Sequence, residues 1–265
     1  MKRVLLLSLF FSLTASGQEK VLEFLKTPAK ETLSETVVAV AGQFLGKPYK
    51  AGTLEKSPEG LVINLEELDC FTLVENVLAI SFTKHSPEAG PDSYREYLQL
   101  LRYRNGVIDG YGSRLHYFTD WARQAEDNGL LEGVTPAGSE QLDKPIVFMS
   151  ANRKLYPALV ADEEAWKAVV AAEKVLNEDP FLFVPKEKYK QAEEAIREGD
   201  IIAFTSTVKG LDVNHEGFAV KKDGKWHLLH ASLEEKKVIV SPETLEAYLN
   251  RIKKHSGIMI YRPVR

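Results

Sequence analysis

Beyond Gly199 the sequence changes character. The stretches GDIIAFTS, HEGFAVKK, KWHLLHAS and KVIVS alternate apolar and polar residues with the two-residue period of half-buried β-strands. Between the second and third stands Asp223-Gly224, the kind of dipeptide that most strongly favours a two-residue hairpin turn. No other feature restricts the fold as much, because a tight hairpin fixes both the direction of two strands and their register. With the turn there, Lys222 pairs with Lys225, Val220 with His227, Gly217 with His230 and His215 with Ser232. His215, Gly217, Leu228, His230 and Ser232 then line one face, and Phe218, Val220, His227 and Leu229 the other. A late helix, SPETLEAYLNRIK, and a last strand, GIMIYRPV, follow.

The earlier sequence reads as helices. Ser34 is the expected cap of SETVVAVAGQFLG, whose Val37, Val38, Ala41, Phe44 and Leu45 share a face, and Gly46 with Pro48 ends it. A second helix follows Asp69, with Leu73, Val74, Val77 and Leu78 at helical spacing. Residues from about 84 to 198 mix loops (KHSPEAGPDS, EGVTPAGSEQLDKP) with helical patterns (FTDWARQAEDNG, ADEEAWKAVVAAEKVL). Helices first and antiparallel strands later indicate an α+β fold, with residues 18–265 forming one domain that carries a long insertion.

The first residues belong to a different kind of segment. Lys2 and Arg3 precede an apolar run from Val4 to Leu13, and Ala15-Ser16-Gly17 offers a small-x-small junction, so residues 1–17 are expected to be a secretory signal peptide. The run falls short of the roughly 20 apolar residues that a membrane span needs, and no cysteine stands at the junction to take a lipid. The mature protein is expected to be exported, periplasmic or secreted, without stable membrane insertion. Losing two basic and no acidic residues takes the formal charge from -4 to -6, which gives no electrostatic case for nucleic-acid binding.

Export makes the single cysteine, Cys70, informative, because oxidising compartments favour paired cysteines. Asp69 is a good N-cap type, so Cys70 falls in the first turn of its helix, where unpaired N–H groups and the helix dipole favour a thiolate. Position alone leaves two readings open, a nucleophile or a small buried core residue. A nucleophile also needs a base. The hairpin register makes His215 and His230 diagonal neighbours, about 7–8 Å apart at the backbone and within reach of a side-chain hydrogen bond. A cysteine, a histidine and a second histidine to orient the first follow the logic of a Cys-His-X triad. Metal binding is the competing use of the histidines. Against it, no HExxH helix is present, and His227-x-x-His230 puts two rings on opposite strand faces.

Read in order, LGKPYKAGTLE, LDCFTLVEN, REGDIIAF, NHEGFAV and HLLHAS resemble the NlpC/P60 superfamily of papain-like cysteine hydrolases, which cut bacterial cell-wall peptides. SRLHYFTDWARQAEDNG (Ser113 to Gly129) and MSANRKLYPAL (Met149 to Leu159) narrow the resemblance to the DUF1460 branch, linked to N-acetylmuramoyl-L-alanine amidase activity. The resemblance implies a papain-like fold with Cys70 as nucleophile, His215 as general base and His230 as the orienting third member. Tyr49 matches a tyrosine placed beside the cysteine, where its hydroxyl assists the oxyanion. Phe71 and Thr72 replace the small pair common after the cysteine and suit the amidase branch. Arg114, His116, Tyr117 and Trp121 are candidate substrate contacts, Arg114 as a bidentate partner for a muropeptide carboxylate. For Tyr117 and Trp121, burial in the core is the alternative. Glu75 is either a cross-cleft partner or a solvated helix charge, and Asp200 is expected to fix the loop before its strand. The implied substrate is the lactyl–L-Ala amide of muropeptides, in the 1,6-anhydro form; the mechanism requires no metal or cofactor, and the protein is expected to act as a monomer. An endopeptidase cutting within the stem peptide and a wall-binding module without catalysis are the alternatives.

Overall fold

The computed structural model describes residues 15–264, so the expected export signal of residues 1–17 lies almost wholly outside the described residues. Ten α-helices are present among them: α1 (Ala15–Leu25), α2 (Leu33–Gln43), α3 (Cys70–Lys84), α4 (Pro91–Arg102), α5 (Phe118–Asp127), α6 (Phe148–Ala151), α7 (Pro157–Ala161), α8 (Glu163–Leu176), α9 (Tyr189–Ala192) and α10 (Leu245–Arg251). The strands are β1 (Leu131–Val134), β2 (Glu140–Gln141), β3 (Leu182–Pro185), β4 (Ile201–Ser206), β5 (Val213–Lys222), β6 (Lys225–Ser232), β7 (Lys237–Val240) and β8 (His255–Pro263). They form one antiparallel sheet in the order β2-β3-β8-β4-β5-β6-β7, with β1 also paired to β8. The fold is α+β.

The hairpin has the expected register. Val220 pairs with His227 and Lys222 with Lys225. Asp223 and Gly224 take positive φ values of 51° and 76°, the left-handed pair that a type I′ turn requires. The five strands foreseen after Gly199 are β4 to β8. Residues 84–198 supply β1, β2 and β3, short strands that periodicity alone does not reveal; β1 and β3 are recruited by the final strand.

Alternation along the strands separates two apolar layers. Ile201, Ala203, Phe218, Val220 and Leu229 belong to the larger core together with Leu73, Val74, Val77 and Leu78 of α3 and the helices around it. Ile202, Phe204, Ala219 and Leu228 face a smaller core closed by Leu245 and Leu249 of α10 and by Tyr189 and Ala192 of α9. The candidate histidines lie on β5 and β6, and Cys70 opens α3.

Two details of α2 differ from expectation. Its cap is Thr32, not Ser34: Thr32 and Glu35 satisfy each other's backbone N–H groups in a capping box. Ser34 instead donates its hydroxyl to the Glu198 carbonyl. The buried face runs through Val37, Val40, Ala41 and Phe44, whereas Leu45, two residues past the helix end, is 48% exposed. Helix α4, which begins with Pro91 after Gly90, was not foreseen in the sequence; Pro at the first helical position is the signal for it.

Candidate active site

Asp69 accepts a hydrogen bond from the Thr72 backbone N–H at 2.9 Å, and Thr72 Oγ1 accepts one from the Asp69 N–H at 3.0 Å. This capping box fixes Cys70 as the first residue of α3. The buried Leu73, Val74, Val77 and Leu78 hold the helix on the sheet, so its N-terminus points at β5. Cys70 is half-buried. Both the backbone N–H and the carboxyl of Glu216 reach its thiol.

The electrostatics reverse the sequence-based expectation of a thiolate. Burial pushes the Cys70 thiol up, and the nearby Glu216 and Asp69 carboxyls push it further. Desolvation and like charge outweigh the helix dipole here. Glu216 is itself pushed up to about 8, by burial first and then by Asp69, while its contact with Cys70 pulls the other way. One of its oxygens, Oε1, is buried without a hydrogen-bond partner.

Tyr49 sits beside this group. Its N–H donates to the Lys236 carbonyl at 2.9 Å, and the Lys50 N–H donates to Leu68 at 3.0 Å, which lays the GKPY segment alongside the residues leading into α3. Its hydroxyl is pushed up to about 12 by burial and by the nearness of Cys70, Asp69 and Glu216, so it remains a hydrogen-bond donor.

His215 and His230 meet across the hairpin. His215 Nε2 lies 2.7 Å from His230 Nδ1, with the rings nearly perpendicular at 82°. Gly217 makes room for them: a Cβ there would lie 2.8 Å from His230 Cβ. Burial lowers His215 well below the usual imidazole range, and His230 and His255 add to the effect. His230 falls to about 4, chiefly through burial. Strand alternation puts this pair on the face covered by α10, while Glu216 faces α3. Tyr248 of α10 links the two groups, with its ring 5.9 Å from His215 and 5.2 Å from His230 and its hydroxyl within the electrostatic reach of Cys70. His227 is on the other face, its Nδ1 bonded to the Ser241 carbonyl at 2.9 Å.

Sequence reasoning missed Glu216, Tyr248 and His255. A signal existed for Glu216, an acid on a strand face otherwise occupied by Phe218 and Val220. Nothing local marks Tyr248 or His255, which tertiary packing brings to Phe204 and the imidazole pair.

The candidate substrate contacts between residues 84 and 198 have partners within the fold. Arg114 is buried and holds Glu55 at 2.9 Å and Glu59 at 2.8 Å, so its guanidinium already grips two carboxylates of the chain. His116 bonds the Tyr111 carbonyl at 2.9 Å, and burial drops it to about 3. Tyr117 and Trp121 take the core alternative: both are buried, the Tyr117 hydroxyl donates to Glu173 at 2.6 Å, and the Trp121 ring packs on Phe71 and Phe118. Glu75 is neither solvated nor in a cleft; it is fully buried and paired with Arg102 at 2.8 Å. Asp200 does brace its loop, accepting from the Arg197 N–H at 2.8 Å and pairing with Arg262.

Among the described residues no group of three His, Cys, Asp or Glu side chains is placed to hold a metal ion. No helix among them is long and apolar enough to cross a membrane.

In its fold the chain resembles solved N-acetylmuramoyl-L-alanine amidases. It matches such an amidase from Bacteroides uniformis with a TM-score of 0.82 and 38% identity over 88% of this chain and 99% of that one. The chain belongs to the AmiA-like, N-acetylmuramoyl-L-alanine amidase-like family, whose pattern it matches over residues 39–258. A Bacteroides fragilis protein that carries a provisional xylanase name is also similar, at 38% identity and a TM-score of 0.78 over 85% of this chain and 99% of that one. A Legionella pneumophila protein of the DUF1460 family shares the fold at 19% identity, with a TM-score of 0.67 over 94% of each chain. No curated protein matches the chain.

Proposed function

We propose that this protein is an exported, cysteine-dependent N-acetylmuramoyl-L-alanine amidase of papain-like design, with Cys70, His215 and His230 as its triad. Its substrates are small soluble muropeptides, in the 1,6-anhydro form, cut between the muramic-acid lactyl group and L-alanine. The observation that carries the reading is the 2.7 Å bond between His215 and His230, next in the chain to Glu216, which touches Cys70.

In this mechanism His215 Nε2–H donates to His230 Nδ1, which leaves His215 Nδ1 free to act as the base. With the thiol raised and the imidazole lowered, the resting pair is neutral, so the proton moves as attack begins. The sulfur attacks the lactyl carbonyl, and the Cys70 backbone N–H and the Tyr49 hydroxyl hold the oxyanion; donors of this kind each contribute about 3 kcal/mol. Protonated His215 then gives its proton to the leaving L-alanine nitrogen, and water hydrolyses the thioester.

Because Arg114, Tyr117 and Trp121 are engaged within the fold, substrate recognition falls to groups nearer the sulfur, such as the half-buried Tyr49 and Phe71. Cys70→Ala and His215→Ala should each abolish hydrolysis without unfolding the protein, and wild-type turnover by either ends the assignment. A stem-peptide endopeptidase remains the second reading, because the same chemistry can attack any amide that the cleft presents.

A further inference from the structure

Glu216 stands out among the buried acids. It is 4% exposed, on the strand face turned to α3, and its carboxyl reaches the Cys70 sulfur while Oε1 has no partner. An ordinary buried carboxylate is compensated by a cation. Glu216 is surrounded by acids instead. From α3 it faces Cys70 and Glu75, from the helix cap Asp69, from the GKPY segment Tyr49, and from the chain entering β5 Asp212. Of the cations acting on Glu75, Arg102 is engaged by Glu75 and the Val62 carbonyl, and Arg114 by Glu55 and Glu59. On β4 its neighbour is Ala203, which offers no polar group in its side chain. A carboxyl so placed is comfortable only as the neutral acid, and a neutral acid is a hydrogen-bond donor.

We propose that Glu216 is a catalytic residue that governs the nucleophile: with its proton in place the carboxyl donates a hydrogen bond to the Cys70 sulfur as the thiolate forms, and once ionised it locks Cys70 in the thiol form. The proposal rests on Cys70 being the nucleophile. In the chemical step the S–H proton passes to His215, the S–C bond forms as the carbonyl π pair moves onto oxygen, and Glu216 keeps its proton throughout. Nothing is oxidised or reduced. The direct consequence is an alkaline limit: as Glu216 ionises, near 8, the donor is lost and a negative charge appears beside the sulfur.

Glu216→Gln keeps the shape and a weaker donor but cannot ionise. Iodoacetamide labelling of Cys70 should begin at a pH lower by roughly one unit or more than in the wild type. Muropeptide hydrolysis at neutral pH should fall about tenfold, yet lose its alkaline decline. Labelling and hydrolysis profiles that superimpose on the wild type after scaling would overturn the proposal. Should the variant not fold, infrared titration of the wild type decides: a carboxylic C=O stretch that persists at neutral pH and bleaches near 8 is expected, and its absence overturns the proposal. Labelling and infrared titration use no substrate. A shifted labelling profile in a protein that cleaves no muropeptide would therefore uphold Glu216 and defeat the amidase reading.

Discussion

His227 and His230 lie three residues apart on one strand, and the account gives them opposite duties. His230 bonds His215 at 2.7 Å, whereas His227 is buried on the other face against the Ser241 carbonyl. His230→Ala should therefore cost hydrolysis about a hundredfold or more, while His227→Ala should cost about 1 kcal/mol of stability and leave turnover near the wild type. Steady-state kinetics beside denaturant melts separate the two, and the reverse order of activities would refute the register argument. These residues were legible in the sequence because alternation and an Asp-Gly turn need nothing beyond the strand itself. Glu216 was legible only in part. Its burial follows from alternation, but its contact with Cys70 depends on how α3 lies across β5. For Arg114, Tyr117 and Trp121 the sequence left two roles open for the same reason: residue types suited to binding a sugar acid are also those that fill a core and tie a loop, and only packing decides between them.

At the level of elements, the site depends on two devices that set side chains by backbone geometry. The first is the Asp69–Thr72 capping box, which determines where α3 begins and hence where the sulfur sits. Asp69→Ala should lower stability by about 1 kcal/mol. The same change should make Cys70 easier to alkylate, since a carboxylate that raises the thiol is removed; labelling no faster than in the wild type would contradict this. The second device is Gly217. A Cβ there would come within 2.6 Å of the Leu229 carbonyl and 2.8 Å of His230 Cβ, contacts too close to keep. Gly217→Ala should force the hairpin apart, cost about 1–3 kcal/mol and reduce turnover together with stability. Full activity in this variant would show that the His215–His230 spacing is not critical. The strands after Gly199 were readable because each carries its own period. Those between residues 84 and 198 were not, because β1, β2 and β3 are two to four residues long and exist only through their partners.

Over the whole molecule, the buried titratable groups predict a stability optimum in pH. His116, His230 and His255 are lowered to about 3, 4 and 4 from an ordinary 6.5, so the stability they contribute is present above 6.5 and is lost as pH falls through their folded values. Glu216 is raised to about 8 from 4.5, so its contribution is full below 4.5 and is lost as pH rises toward 8. Glu75, Asp200 and Asp212, raised mainly by burial, act in the same direction as Glu216. Urea melts should therefore show greatest stability near pH 6.5, with a steep acid limb from the histidines. Stability that climbs steadily to pH 9 would contradict this. The expected export signal belongs to this scale too: N-terminal sequencing of the exported protein should begin close to Gln18, and a mature form starting at Met1 would refute it.

The most direct test of the account is product mass spectrometry after incubating a defined 1,6-anhydro disaccharide-tetrapeptide with the protein and with its Cys70→Ala variant. The account predicts free tetrapeptide beginning with L-alanine together with the intact anhydro-disaccharide from the wild type, and unchanged substrate from the variant. A sugar-linked dipeptide with a shorter peptide, or the same tetrapeptide released by Cys70→Ala, would contradict it.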